Sequence, residues 1–286
     1  YDADRDSAMS DVYANTAGTL LGAIAAAVLG GRRFPFVGDM ERQPFALLLL
    51  ACWAGYRYYP YLPTIDAHKY WNALKPLIQA PVLRFPDLVR HTAIWLALAV
   101  VLEALFGAAR RRLPFTLFVV GALLLRVLVL DITLSPAETM GGALALLLWG
   151  GLVSWVRFRA GLVASLFVLA VAIQALEPFT FSATARDFAW IPFRGFLTGS
   201  LETNVMSLFE KAFLYGTLLW LLTRAGWQLV VAVPAAGLFV FALRYGQVYL
   251  PARSAEITDV LILLLMGGLL ALLPRPEIRE PARSPS

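Results

Sequence analysis

Arg5-Asp-Ser-Ala-Met-Ser-Asp11-Val-Tyr-Ala-Asn15-Thr-Ala-Gly18-Thr-Leu-Leu-Gly22 runs from a polar lead straight into an apolar segment, and its polar and small residues keep one register. A helix turns about 100° per residue, so Asp11, Asn15, Gly18 and Gly22 fall in one narrow stripe. Such a stripe faces protein, not lipid, and Gly18, Gly22 and Ala25 allow a neighbouring helix to approach closely. The opening recurs near the other end of the chain. Tyr249-x3-Arg253-x5-Asp259-Val matches Tyr1-x3-Arg5-x5-Asp11-Val, and an apolar run follows again. The chain reads as carrying a duplicated unit, whose two helices are expected to enter one bundle from the same side with Asp11 and Asp259 at similar depth.

What lies between the two copies is of the same kind. Of the 286 residues, 59% are hydrophobic and 15% charged, against about 25% charged in soluble proteins. With a mean hydropathy of +0.70, this composition specifies an all-α, polytopic transmembrane helix bundle. Runs of roughly 17 to 22 apolar residues mark nine expected spans. They lie near 12–30, 44–60, 91–109, 114–131, 138–155, 160–177, 203–223, 226–245 and 257–273.

The net charge of +5 comes from basic residues spread through loops between apolar spans and not massed on one domain, which argues against nucleic acid as a partner. It reports topology instead. One set of loops holds Arg32, Arg33, Arg42, Arg110 to Arg112, Arg157, Arg159 and Arg224, then Arg275, Arg279 and Arg283 in the tail. These short, Arg-dense loops place that side in the cytoplasm, the N-terminus outside and the C-terminus inside. The opposite side also carries Lys69, Lys75, Arg84 and Arg90 in one long loop. That loop, Thr64 to Arg90, interleaves Trp71, Leu74, Leu77 and Ile78 with basic residues and reads as a segment lying along the membrane surface.

The expected organisation follows. Residues 1–30 end a first, truncated unit; 31–178 form a central membrane block with the interfacial outer loop; 179–273 form a second, divergent unit; and 274–286 are a Pro-rich, disordered cytoplasmic tail. Because the first motif starts at its middle and residue 1 is Tyr, spans upstream are expected to be missing. The single cysteine, Cys52, lies inside a span and reads as a packing residue, with no disulfide and no Cys-based metal site.

Gln247-Val-Tyr249-x3-Arg253-x5-Asp259, with the first copy Arg5-x5-Asp11-x3-Asn15-x2-Gly18-x3-Gly22, resembles the VanZ-like family of bacterial membrane proteins. That family's signature is a Gln, then an Arg, then Asp-x3-Asn-x2-Gly-x3-Gly entering the last helix. The second copy departs from it: Leu263, Met266 and Leu270 stand where the family has Asn, Gly and Gly, and Arg244 stands where a Glu precedes the Gln by three. Asn204 with Phe213-Leu-Tyr215-Gly216 matches the family's preceding Asn and Phe-x-Pro-Phe-Gly turn, without the Pro. The central four spans lie outside the resemblance. The resemblance implies a cell-envelope role in the bacterial plasma membrane, since the family's namesake is associated with low-level resistance to the glycopeptide teicoplanin and no general catalytic activity is established.

The ligand-binding candidates are therefore Arg5, Asp11, Asn15, Asn204, Gln247, Arg253 and Asp259. Each Asp also reads simply as a first-turn carboxylate held by the Arg six residues earlier. Helix N-termini and guanidinium groups both favour phosphate or carboxylate, so an anion-receptive pocket is expected at the outer surface, beside Arg186 and Arg194 of the second outer loop.

A second set of candidates comprises the intramembrane charges Glu103, Arg126, Glu210 and Lys211, each needing a partner. Counting depth from the span ends pairs Arg126 with Glu210 as a bridge between central block and C-terminal unit. Gln174 and Glu177 read as cap-like surface groups, and His68 and His91 as interfacial residues. No metal or cofactor motif, phosphate loop or nucleophile elbow is present in the sequence. Three readings follow: a non-enzymatic protein binding or shielding a lipid-linked envelope precursor or an assembly partner, an enzyme acting on lipid-linked sugars or phosphates, and a transporter using Glu103, Arg126 and Glu210.

Overall fold

The computed structural model describes residues 43–79, 81–107, 112–129, 132–194, 200–251 and 253–273. Span 12–30, with Arg5, Asp11 and Asn15, and the tail 274–286 lie outside the described residues, so the expected pairing of Asp11 with Asp259 lies outside them too. Nine α-helices are described: α1 Pro44–Arg57, α2 Ala67–Ile78, α3 Phe85–Phe106, α4 Leu113–Leu128, α5 Pro136–Gly151, α6 Arg159–Leu176, α7 Leu201–Arg224, α8 Leu229–Gly246 and α9 Thr258–Leu272. Among the described residues there is no strand, only two isolated bridges, Pro63 with Val129 and Ala189 with Glu256.

The helix boundaries follow local chemistry. Proline opens α1, α3, α4 and α5 in the first turn, where its missing N–H costs nothing. Ser135 and Ser200 cap α5 and α7 by accepting from the backbone N–H groups of Glu138 and Thr203. Gly107, at φ 82°, stops α3 in a conformation that side chains disfavour.

Five helical stretches are long and apolar enough to cross a membrane: Phe85–Phe106, Pro136–Trp155, Arg159–Leu176, Glu202–Arg224 and Leu229–Tyr249. The chain thus has the character of a multi-pass membrane protein. The other three expected spans among the described residues are apolar but shorter, α1, α4 and α9. With 14, 16 and 15 residues, each reaches about 21–24 Å at the helical rise, short of a ~30 Å hydrocarbon core. The segment expected along the interface contains α2, capped by Asp66, with Trp71 and Ile78 exposed and Ala73 buried.

Two helices form the centre. α3 packs on α1, α4, α5 and α6, and α7 packs on α1, α6, α8 and α9. Small residues permit the closest approaches. A Cβ on Gly141 of α5 would stand 2.8 Å from the Cβ of His91 on α3, and one on Gly216 of α7 would stand 2.6 Å from Met266 Cε and 2.7 Å from Leu49 Cδ2. Aromatic rings fill the core of the central block, where Trp53 contacts Tyr58, Trp95 and Phe118.

Side-chain pairs show which helix ends share a level. Glu103 at the end of α3 binds Arg159 at the start of α6 through both carboxylate oxygens, with the Nε contact at 2.8 Å. At the opposite end, Arg57 closing α1 and Arg126 closing α4 meet Glu138 opening α5. On that same level, Arg84 before α3 pairs with Glu177 after α6, and Gln247 after α8 donates to Ala175 O near the end of α6 at 2.7 Å. The helices therefore alternate in direction.

Candidate functional site

Asp259 stands in the first turn of α9, where a carboxylate is favoured by the helix dipole, and is 1% exposed. A buried carboxylate needs partners, and three side chains supply them. Lys211 Nζ lies 2.8 Å from Oδ1, Arg244 Nε pairs with Oδ2, and the Tyr215 hydroxyl donates to Oδ2 at 2.8 Å. Arg244 ties the group together. Its Nη2 donates to the Tyr215 oxygen at 2.9 Å and its Nη1 to Gln247 Oε1 at 2.9 Å. Lys211 and Tyr215 are four apart on α7, one turn, so they share a face. Arg244 closes α8, across the hairpin from α9.

Beside this group is a cavity of about 60 Å³, room for a few waters or a small oxyanion, lined by Gln174, Tyr215, Arg244 and Arg253 among apolar residues. Arg253 donates from Nε to the carbonyl of Glu177 at 2.8 Å. This corrects the expectation that Asp259 is held by the Arg six residues earlier. The helix-opening carboxylate is taken by Lys211 and Arg244, and Arg253 is held instead by a carbonyl at the end of α6. Arg186, expected to face the pocket, donates to the carbonyls of Gln247, Leu250 and Arg253 and fixes the 247–253 turn in place. The outer loop is stitched to that turn further by Ser182 N to Tyr249 O at 2.7 Å and Arg186 N to Val248 O at 3.0 Å.

Of the ligand-binding candidates, Arg253 lines this cavity, while Gln247 and Asp259 stand behind it, bonded to the lining residues Arg244 and Tyr215. Asn204 is half-buried in the first turn of α7, seven residues or about 10 Å of rise before Lys211.

A second buried cluster lies at the same end. Glu138, 1% exposed, pairs with Arg57, and Arg126 Nη1 lies 2.9 Å from its Oε2. Arg126 also donates to Thr133 O at 3.0 Å. The Arg126–Glu210 bridge expected from depth is thus replaced: Arg126 binds Glu138, and Glu210 accepts from Gln174 Nε2 at 3.4 Å. The reason is azimuthal. α4 packs against α2, α3 and α5, while Glu210 is carried by α7. Arg90 of α3 lies within electrostatic reach of His91 and Tyr56, as Arg57 does. The buried Nε groups of Arg57, Arg90 and Arg126 have no hydrogen-bond partner among the described residues.

The two clusters repeat one device. In each, an Arg closing a helix (Arg126, Arg244) holds an acid in the first turn of the next (Glu138, Asp259), with a further cation (Arg57, Lys211) from another helix. Together they set five cations, Arg57, Arg90, Arg126, Lys211 and Arg244, against four carboxylates, Glu138, Glu210, Glu256 and Asp259.

Glu103, by contrast, sits at the other end with Arg159, so Glu103, Arg126, Glu210 and Lys211 do not form one connected network. Arg57, Glu138, Tyr215 and Arg244 belong to these clusters without being among the candidates that the sequence offers. The available signal was the repeated pattern of Arg near a helix end followed by an acid within the next first turn. The chain matches no protein-family model, no curated protein and no solved structure.

Proposed function

We propose that this is a VanZ-like multi-pass protein of the bacterial plasma membrane. It binds, without turning over, the anionic head of a lipid-linked envelope component at the end of the bundle that holds Asp259. The observation that carries the reading is the cavity lined by Arg244, Arg253, Gln174 and Tyr215, two of which, Arg244 and Tyr215, are bonded to Asp259. Arg253 is bonded to the Glu177 carbonyl and to no carboxylate among the described residues, so it brings an uncompensated positive charge to the cavity. A phosphate or carboxylate neutralises it, and guanidinium groups supply directed donors for such oxygens. Asp259, Tyr215 and Gln247 position Arg244; Glu177 positions Arg253. The helix-opening placement of Asp259, the Arg253 guanidinium at the cavity, the Gln247 bond to Arg244, and the family resemblance in those same residues all support this reading.

The test is equilibrium binding of a polyprenyl phosphate and of dioleoylphosphatidylglycerol to the purified wild type, Arg253→Ala and Arg253→Lys. Selective loss of polyprenyl phosphate binding in Arg253→Ala, with partial recovery in Arg253→Lys, is expected. If all three proteins bind both lipids alike, Arg253 is a surface anchor and the reading fails.

A further inference from the structure

At the end of the bundle opposite Asp259, two cavities share a wall. The first, about 220 Å³, is polar and is lined by Glu103, Arg157, Arg159 and Arg224. The second, about 570 Å³, is an apolar groove between α6, α7 and α8, lined by residues such as Ala164, Val168, Leu218, Leu222 and Phe239. Gly161 and Ala225 line both, so the polar chamber and the apolar groove adjoin across these two small residues. A Cβ on Gly161 would meet the Ala225 Cβ at 3.8 Å, an ordinary contact, which places these two small residues face to face along the shared wall.

Charge and depth both define the occupant. In the polar chamber Glu103 and Arg159 neutralise one another as a two-point pair, which leaves Arg157 and Arg224 as a local excess of positive charge. The Arg224 guanidinium is seated 5.4 Å over the Trp220 ring, at the last turn of α7. The first turn of α6 also begins at this chamber, with no side-chain cap on its N–H groups. The groove runs along α6 from Gly161 to Val168 and along α8 as far as Phe239. That is about 10–15 Å of helical rise, half of a ~30 Å hydrocarbon core and so the depth of one leaflet. Exposed Phe158 lines the polar chamber and exposed Trp227 the groove, as aromatic residues do where a membrane meets water.

We propose that this paired cavity is a binding site for one anionic phospholipid, with the phosphate between Arg157 and Arg224 and one acyl chain in the α6–α7–α8 groove. The polar chamber matches an anionic head and the adjoining groove matches its chain, at the level where the two halves of such a lipid sit. The site is independent of the Asp259 end.

The experiment is native mass spectrometry of the detergent-purified full chain titrated with dioleoylphosphatidylglycerol or dioleoylphosphatidylcholine. Arg157→Gln/Arg224→Gln alters two exposed side chains, and Gly161→Leu fills the shared wall. Arg112→Gln removes an exposed cation outside the chamber, at the same end of the bundle, where it lies over Trp155. Wild type is expected to hold one phosphatidylglycerol in preference to phosphatidylcholine. The double variant is expected to weaken phosphatidylglycerol about thirtyfold, at the usual contribution of two basic residues to an anionic lipid surface, and to leave phosphatidylcholine unchanged. Gly161→Leu is expected to weaken both lipids, and Arg112→Gln neither. Equal binding of the two lipids by wild type would overturn the proposal, as would an effect of Arg112→Gln equal to that of the double variant. Displacement of the bound lipid by millimolar inorganic phosphate would overturn it as well, because the groove would then contribute nothing.

Discussion

Replacing Asp259 by Asn keeps the size of the side chain and an oxygen for the Tyr215 hydroxyl, but it removes the charge that Lys211 and Arg244 share. Asp259 is 2% exposed in its side chain, and Lys211 and Arg244 are 21% exposed each, so neither cation reaches water fully. Leaving a buried charge without its partner costs about 3–5 kcal/mol. Arg244→Met is the milder change, because Lys211 and Tyr215 still satisfy the carboxylate. Combining the two substitutions removes the second cation along with the anion, and the pair should couple by about 1–3 kcal/mol. The double variant is then no less stable than Asp259→Asn alone. Thermal unfolding in detergent, followed by circular dichroism, reads this directly: at about 2–4 °C per kcal/mol, Asp259→Asn should lower Tm by about 6–20 °C. Additive losses in the double variant, or an unchanged Tm in Asp259→Asn, would refute the reasoning.

The two buried acids at the Asp259 end should outrank the one at the other. Glu138→Gln strands both Arg57 and Arg126, 11% and 13% exposed, whereas Glu103→Gln leaves only Arg159, which is 29% exposed and relaxes into water. The same unfolding experiment should show the larger Tm loss for Glu138→Gln, and equal losses would count against the partner assignments. Among the close-packed glycines, Gly141→Ala should cost more than Gly216→Ala. The added methyl at 141 meets the His91 Cβ and the Thr92 backbone N at 3.0 Å, while at 216 it meets the flexible ends of Met266 and Leu49. Overpacking of this kind costs about 1–3 kcal/mol, so the order of the two Tm values in alanine variants is the readout.

The helices were legible because apolar runs and their punctuation are local. Pro44, Pro86, Pro114 and Pro136 each stand within the first two residues of a described helix, and Ser135 and Ser200 each cap the one they precede. Depth was legible too: Glu103 lies at the opposite end from Glu138 and Asp259, as counting residues along the spans requires. What counting along a helix does not give is the direction a side chain faces across the bundle. Arg126 and Glu210 share a level on helices with different neighbours, so their partners are Glu138 and Gln174. Arg253 was misassigned for a related reason. Six residues before a helix-opening acid is near in sequence, but the 3-10 turn Gln247–Tyr249 and the 250–257 stretch carry its guanidinium toward Glu177, and Arg244, fifteen residues before Asp259, arrives from the other arm of the hairpin. At α1, α4 and α9 the described helices, ending at Arg57, Leu128 and Leu272, are shorter than the expected spans.

The most direct measurement of the central claim is where a lipid-linked anion sits. A polyprenyl phosphate carrying a photoreactive group beside its phosphate, crosslinked to the purified full chain and mapped by peptide mass spectrometry, answers it. Labelling is predicted in 174–177 and 244–253, which surround the cavity below Arg253, and it should fall in Arg253→Ala. Labelling confined to 157–161 and 224–227 at the other end, or labelling unchanged in Arg253→Ala, would contradict the account.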